Sequence, residues 1–200
     1  MNPPTKLLHM PQFIAQSDGI EPTAHSACLL AKQVAEVILQ DAFSMRALQS
    51  VQALDPPDWG IGAGFVRNVV WDHLHGFDTP TPLPDIDVLY HDRYRLTASR
   101  DRQVECQLNE SHPSLPWSVR NQARMHHRNG DQPYRSTLDA LHYWLEKPTA
   151  VAVRLDQSDQ LEILAPFGLE CLVGMRGEPT PRGLETYDQY LTRMRAKNRP

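Results

Sequence analysis

Hydrophobic positions in the first third of the chain recur at the spacing of a helix. In residues 24–54, apolar side chains return near a period of 3.6, which predicts one long amphipathic helix. These side chains are Leu29, Leu30, Val34, Val37, Ile38 and Leu48. Pro56 and Pro57 follow directly, and we expect the helix to end before them because proline cannot continue it.

The next apolar segments predict a strand, a tight turn and a second helix. Residues 59–63 are short and apolar, as in a buried strand. Gly62 and Gly64 then predict a close turn into a helix over residues 65–75. Gly76 is a natural end for that helix.

Strands and helices are predicted to alternate through the rest of the chain. We predict strands at residues 85–90, 117–121, 149–155 and 161–164. We predict helices at residues 92–110 and 136–147, and a loop at residues 126–135. Ser136 is expected to cap its helix, with Asp139 three residues later as in a capping box. The order predicts an α+β fold with a small mixed β-sheet flanked by helices.

Length and charge limit the number of domains and the classes of binding partner. The 200 residues suit a single domain over residues 23–200, preceded by a proline-containing N-terminal arm over residues 1–22. The net charge of −4 gives no strong case for binding long nucleic acid. No segment approaches the roughly 20 apolar residues of a membrane helix, so no membrane partner is expected.

The cysteines indicate the compartment. Cys28, Cys106 and Cys171 are far apart and form no Cys-x-x-Cys pair. Such a set argues against a disulfide framework and against a cysteine zinc site. We therefore expect reduced thiols and a cytoplasmic location.

The turn between the first predicted strand and its helix is a candidate phosphate site. Glycines at 62 and 64 would let backbone N–H groups approach a ligand closely. The helix N-terminus behind them favours an anion. Arg67 lies in the first turn of that helix, where a guanidinium group could reach a phosphate.

The following strand carries two carboxylates that should share a face. Asp85 and Asp87 are two positions apart, and side chains of a strand alternate between faces. Two acids placed in this way repel each other unless a cation lies between them or one is protonated. A hard divalent ion, Mg²⁺ or Mn²⁺, is the usual partner of such oxygen ligands, and it is what phosphoryl-type transfer requires.

These segments, taken in order, resemble the superfamily of DNA polymerase beta and the tRNA CCA-adding enzymes. The CCA-adding enzymes carry Gly-Gly-x-Val-Arg-Asp, then Leu-x-Gly, then Asp-x-Asp, and the corresponding residues here are 62–68, 74–76 and 85–87. The chain is still more similar to a bacterial family known only as nucleotidyltransferase family proteins. That similarity spans roughly residues 25–195 and includes residues 121–126, 133–134, 149–150 and 165–169.

The resemblance implies a nucleotidyltransferase fold like the polymerase beta palm, and it implies roles for single residues. Asp85 and Asp87 would be catalytic and bind Mg²⁺ or Mn²⁺, while phosphates would lie at Gly62, Gly64, Arg67 and Asn68. The partner would be a nucleoside triphosphate, with an acceptor that the sequence does not name.

This chain departs from the superfamily pattern in two ways. Asn68 stands where the CCA-adding enzymes have Asp. The superfamily also adds a third acid from a neighbouring strand, but residues 115–120 hold none, and Ser118 is their only small polar side chain. Glu162 on a later strand is a conceivable substitute. An alternative function is therefore a catalytically degenerate nucleotide- or anion-binding module.

A polar cluster follows the predicted strand at residues 117–121. Its members are Asn121, Gln122, Arg124 and His126. The cluster could form a wall of the substrate pocket, with Arg124 on a phosphate or carboxylate. It could equally form a buried hydrogen-bond network that fixes the edge of the sheet.

Overall fold

The computed structural model describes residues 12–14 and 24–197. Its strands are β1 Gln12–Ile14, β2 Gly60–Gly62, β3 Ile86–Tyr90, β4 Trp117–Asn121, β5 Ala152–Leu155 and β6 Leu161–Leu164. Its helices are α1 Ala24–Gln40, α2 Ala42–Leu54, α3 Gly64–His75, α4 Ala98–Ser111, α5 Gln122–Asn129, α6 Thr137–Leu141, α7 Glu170–Val173, α8 Pro181–Glu185 and α9 Tyr187–Lys197.

The described strands form one mixed sheet in the order β1-β6-β5-β2-β3-β4. The pairs β1–β6 and β3–β4 are parallel, and the other neighbours are antiparallel. The predicted α+β class with a small mixed sheet is therefore confirmed. The strand β2 lies between β3 and β5, so the glycine turn and the Asp-x-Asp strand are neighbours.

Each face of the sheet carries its own apolar cluster. Ile61, Val88 and Val153 are register partners on adjacent strands, and they are fully buried in the main core together with side chains of α1, α2 and α3. On the opposite face, Leu89 and Ala152 pack in a smaller cluster with Leu141 of α6. Because side chains alternate along each strand, the smaller cluster shares its face with Asp87.

The predicted helix over residues 24–54 is wrong as a single element, because it breaks at Asp41. Asp41 has extended backbone angles, and its carboxylate accepts a hydrogen bond from the Ser44 N–H at 2.7 Å. An aspartate that caps a new helix in this way competes with continuation of the first helix. Periodicity could not show the break, because apolar spacing continues through it.

The predicted loop over residues 126–135 is wrong in its first half, where α5 runs to Asn129. Asn121 caps α5 by accepting a hydrogen bond from the Ala123 N–H, and Gly130 ends it with a φ of 71°. The Asn-Gly pair thus marks the C-terminus of a helix rather than the turn of a loop. The helix predicted over residues 92–110 begins later than expected, because the observed helix α4 starts at Ala98.

The predicted helix over residues 136–147 keeps its start and loses its second half. The Ser136 hydroxyl accepts a hydrogen bond from the Asp139 N–H at 3.0 Å, as predicted. After Leu141, the backbone pairs with a distant segment: Lys147 N–H donates to the Glu178 carbonyl at 2.9 Å. These tertiary hydrogen bonds replace the remaining helical ones, and the following strand starts at Ala152.

The ends of the chain are only partly described. Most of the predicted N-terminal arm, residues 1–22, lies outside the described residues. Its residues Gln12–Ile14 form β1 beside β6. The polar tail folds into α8 and α9. No helix in the described part of the chain has the length and apolar character needed to cross a bilayer.

Candidate functional site

The glycine turn and the second carboxylate are adjacent in the sheet. Gly62 is the register partner of Asp87 on one side and of Ala152 on the other. A Cβ atom at Gly62 would lie 2.9 Å from the Val151 carbonyl oxygen, closer than real Cβ atoms come. Glycine is therefore required here by the close packing of the neighbouring strand.

The turn itself holds a strained residue. Ala63 has φ 57° and ψ −127°, a region that glycine adopts far more easily than alanine. Its carbonyl accepts the hydrogen bond from the Arg67 N–H at 3.1 Å, which starts α3. The chain thus turns from β2 into α3 within one strained residue, and the N-terminus of α3 lies directly behind Gly62.

Arg67 is held along α3 rather than extended into solvent. Its guanidinium group stacks on Trp71 at 5.4 Å from the ring centroid, and it donates to the side-chain oxygen of Asn68 at 2.7 and 3.1 Å. Burial lowers the pKa of Arg67, and the positive charge of Arg193 acts in the same direction, while Glu146 opposes it. An anion bound here would relieve both unfavourable effects.

The two predicted metal ligands lie on β3 and at the residue just before it. Asp85 is exposed and Asp87 is half-buried. Within residues 12–14 and 24–197, neither carboxylate has a hydrogen-bond donor or an ion-pair partner. Burial, and then the charge of Asp85, raise the pKa of Asp87 to about 6, while Arg193 and Arg120 lower it. The predicted repulsion between these acids is therefore present in the fold.

Two arginines near Asp87 come from distant elements. Arg193 lies on α9, more than a hundred residues along the chain, and Arg120 lies on β4, where it faces Glu105 at 3.6 Å. No carboxylate in the described chain pairs with Arg193. The sequence shows Arg193 only as one of several basic residues in the tail, and nothing in that run distinguishes it from Arg195.

The position beside Asp87 on the other neighbouring strand is occupied by Ser118. Glu162 cannot replace a third acid there, because it accepts a hydrogen bond from Arg154 at 2.6 Å. Its strand β6 is also three strand spacings from β3, about 14 Å. In the described ranges, no three or more His, Cys, Asp or Glu side chains gather into a group that could hold a metal ion.

The polar cluster after β4 is buried in a hydrogen-bond network. Asn121 is fully buried and donates to the carbonyls of Asp92 and Arg95, while Arg124 pairs with the buried Asp101. Gln122 donates to a backbone carbonyl, and His126 is buried against a neighbouring histidine ring. Asn121 and Arg124 thus take part in a hydrogen-bond network at the sheet edge, whereas the buried Nε atom of Arg124 and Nδ1 atom of His126 have no hydrogen-bond partner in the described chain.

Comparison with known proteins independently tests the family and the fold of this chain. The model of a family described as Nucleotidyltransferase matches residues 49–199. Among solved structures, the chain is similar to one described by the words "The NMR structure of the protein reveals a CCA-adding enzyme head domain". The two chains share 30% sequence identity with a TM-score of 0.72, over 84% of this chain and 89% of that chain. No curated protein matches.

These matches confirm the family that the motifs suggested and the fold that was expected from it. The family match begins within α2 and includes the glycine turn, the Asp-x-Asp strand and α9. Fold and family together support nucleotidyl transfer. The chain belongs to the nucleotidyltransferase family.

Proposed function

We propose that this protein transfers a nucleotidyl group from a nucleoside triphosphate to an acceptor, with Mg²⁺ or Mn²⁺ held by Asp85 and Asp87. One observation carries the proposal. Two carboxylates share a face beside a glycine turn, and no side chain in the described part of the protein forms an ion pair or a hydrogen bond with either of them. A structural acid pair would be expected to have donors or counter-ions. These two carboxylates are left for a ligand.

The donor set fits a magnesium ion. Mg²⁺ is usually bound by one or two protein carboxylates together with substrate phosphates and water, rather than by a complete protein cage. Asp85 and Asp87 supply two such carboxylates. The raised pKa of Asp87 reflects burial first and repulsion by Asp85 second, and a bound cation would stabilise the ionised form against both. When bound, the ion would neutralise charge that develops on the phosphates and orient them.

The residues of the chain itself would bind and orient the triphosphate. The N-terminus of α3, which directly follows the glycine turn, favours phosphate oxygens. Arg67 and Arg193 would offset the phosphate charge from two sides. In the transfer step, the acceptor oxygen or nitrogen bonds to the α-phosphorus, and the bond to the bridging oxygen breaks. Pyrophosphate leaves with that electron pair, and the acceptor proton passes to water.

We also propose that the protein is located in the cytoplasm. Cys28, Cys106 and Cys171 are all free, and they differ in burial from exposed to buried. Free thiols of this kind support a reducing, cytoplasmic location.

Binding of nucleotides tests the site directly. ATP, GTP, CTP and UTP are titrated calorimetrically, with and without Mg²⁺, into the wild type, Asp87→Asn and the control Asp78→Asn, which removes an exposed acid of the preceding loop. We expect at least one nucleotide to bind only with Mg²⁺, and Asp87→Asn alone to abolish it. Equal binding by all three proteins would refute the assignment of the site.

The alternative, a binding module without turnover, is favoured by Ser118, because a serine stands where β4 approaches Asp87. It predicts Mg²⁺-dependent nucleotide binding without pyrophosphate release from any acceptor. Ser118→Glu provides a test, since it places a third acid beside Asp87. Release by Ser118→Glu but not by the wild type would establish the alternative. Release by the wild type would exclude it.

A further inference from the structure

Asp85 stands outside the hydrogen-bonded part of its strand. The pairing of β3 with β4 begins at Ile86, opposite Trp117, and the pairing of β3 with β2 includes Asp87 but not Asp85. Asp87 is therefore held between two neighbouring strands, whereas Asp85 is exposed just before the paired residues. The sheet thus fixes the position of the second carboxylate but not that of the first.

The segment that leads to Asp85 is stiff. Residues 79–84 read Thr-Pro-Thr-Pro-Leu-Pro, so each of them is a proline or directly precedes one. Proline fixes its own φ, and it also restricts the residue before it to extended conformations. Because few backbone torsions in this segment are free, the position of Thr81 strongly limits the position of Asp85.

Asp72 holds this segment from the last turn of α3. One oxygen of its carboxylate accepts a hydrogen bond from the Thr81 N–H at 2.7 Å, and the other accepts one from the Thr81 hydroxyl at 2.5 Å. The backbone carbonyl of Asp72 also accepts a hydrogen bond from the Phe77 N–H at 3.0 Å, where the chain leaves the helix. Asp72 therefore contacts the chain both where it leaves α3 and where it returns.

A second contact holds the segment at the other end of α3. Leu83 packs against the main core, and a Cβ atom at Gly64 would lie 3.3 Å from its side chain. Gly64 is the first residue of α3. The segment therefore runs back along α3 from Asp72 to the start of the helix, and it places Asp85 close to the glycine turn.

The position of Asp72 indicates that its carboxylate serves this segment rather than the helix. A negative charge in the last turn of a helix is unfavourable, because that end of the helix carries partial negative charge. Among the residues that the structure describes, Thr81 alone donates hydrogen bonds to this carboxylate, and no cation forms an ion pair with it. The contact with Thr81 is therefore the reason we assign to an acid at this place.

We infer that Asp72 is a positioning residue for the metal site: through Thr81 and residues 82–84, it holds Asp85 where its carboxylate and that of Asp87 can bind one ion. The inference rests on the proposed function, which assigns Mg²⁺ or Mn²⁺ to these two carboxylates. In this role Asp72 touches neither the ion nor the nucleotide. It holds Asp85 in place before the ion arrives, which lowers the entropy cost of binding.

Backbone motion in the metal-free protein tests the contact without any ligand. Asp72→Ala removes both acceptors, Thr81→Val removes only the hydroxyl donor, and Thr81→Ser keeps the hydroxyl as the matched control. From ¹⁵N relaxation we expect the order parameter of the Asp85 amide to fall from about 0.85 to below about 0.6 in Asp72→Ala. A smaller fall is expected in Thr81→Val, and none in Thr81→Ser or at Asp87. An Asp85 amide that stays rigid in Asp72→Ala would overturn the inference.

Binding of Mn²⁺ tests the consequence for the site. Free Mn²⁺ is measured by EPR during titration of the full-length protein without nucleotide, with thermal melting as the check on folding. We expect binding to weaken about tenfold in Asp72→Ala and about threefold in Thr81→Val, and to be unchanged in Thr81→Ser. Because Asp72 also raises the pKa of Arg67, Thr81→Val is the decisive variant, since it leaves every charge in place.

Asp78→Ala is the control for long-range charge, because it removes an exposed acid from the same loop. A loss in Asp78→Ala equal to that in Asp72→Ala, or unchanged binding in Thr81→Val, would overturn the inference.

Asp87→Asn separates this inference from the proposed function. Mn²⁺ binding that Asp87→Asn abolishes, but that Asp72→Ala and Thr81→Val leave unchanged, would overturn the positioning role and leave the metal site standing. Mn²⁺ binding that Asp87→Asn leaves unchanged would overturn the proposed site itself.

Discussion

Two carboxylates in this protein occupy opposite environments. Asp101 on α4 is only 2% exposed, yet it accepts hydrogen bonds from the Tyr90 hydroxyl at 2.7 Å and the Asn121 N–H at 3.3 Å, and it pairs with Arg124. Asp87 on β3 is less buried, but it has no donor or ion-pair partner in the described chain. Among neighbouring charges, the largest effect on the pKa of Asp87 comes from another acid, Asp85.

The comparison shows how burial alone fails to identify a functional acid. Complete compensation makes Asp101 part of the scaffold, since its charge is already neutralised by the fold. Incomplete compensation destabilises the ionised form of Asp87 when no ligand is bound. A bound cation would stabilise that form. The candidate site is thus the place where the protein has left its charges unpaired.

The largest effect should come from Asp101→Asn. It removes the partner of Arg124 and leaves a partly buried guanidinium uncompensated, which we expect to lower the free energy of unfolding by about 3 kcal/mol. Urea denaturation at pH 7 measures this change. In the double variant with Arg124→Met, much of the loss should be recovered. A loss below about 1 kcal/mol in Asp101→Asn would show that the network is not structural.

Asp87→Asn should have the opposite effect on stability. In metal-free buffer we expect it to raise the free energy of unfolding by about 1–2 kcal/mol at pH 7, because it removes an acid whose pKa is raised. Activity should fall at least about 100-fold, as expected for loss of an electrostatic catalytic group. A destabilised Asp87→Asn would contradict the contrast with Asp101.

The sign of the pH dependence follows from the same pKa. The pKa of Asp87 is about 6 in the folded protein against 3.8 for a free side chain, so the folded state holds the proton more tightly. Its contribution therefore lowers stability as pH rises from about 4 to about 6. The stability difference between Asp87→Asn and the wild type should be absent below that window and complete above it, in denaturation series at several pH values.

Arg193→Gln tests the cation that α9 contributes to the site. We expect it to weaken Mg²⁺-ATP binding about tenfold, the effect of one lost charge-assisted contact. Arg195→Gln removes the same charge from the same helix, two residues further on and therefore on another side, and should leave binding unchanged. Equal losses in both variants would indicate a general charge effect of the tail. Carbon NMR should also show a higher pKa for Asp87 in Arg193→Gln.

The smallest effect is expected at the turn beside Asp87. Ala63→Gly should raise the free energy of unfolding by about 0.5–1 kcal/mol, because relief of the positive φ outweighs the extra freedom of glycine in the unfolded chain. Thermal unfolding measures it, with Ala53→Gly in α2 as the control that should destabilise. A destabilised Ala63→Gly would mean that the methyl group packs favourably enough to offset the strain.

Local patterns predicted some elements well and others poorly. The helix over residues 65–75 and the strand over residues 85–90 emerged nearly at their observed bounds, because each has a regular pattern between clear end signals. The helix over residues 136–147 was predicted too long, since its last residues are helix formers. The segment around Glu178 takes their backbone hydrogen bonds instead. No local pattern contains that competitor.

The sequence by itself determined that Asp85 and Asp87 share a face and that glycines precede the helix with Arg67. Both follow from fixed backbone periods and from the conformational freedom of glycine. Tertiary structure alone decided that Ser118 rather than Glu162 stands beside Asp87, and that the charge of Arg193 acts on that carboxylate. These depend on which strands pair and where helices pack, contacts between residues far apart in the chain.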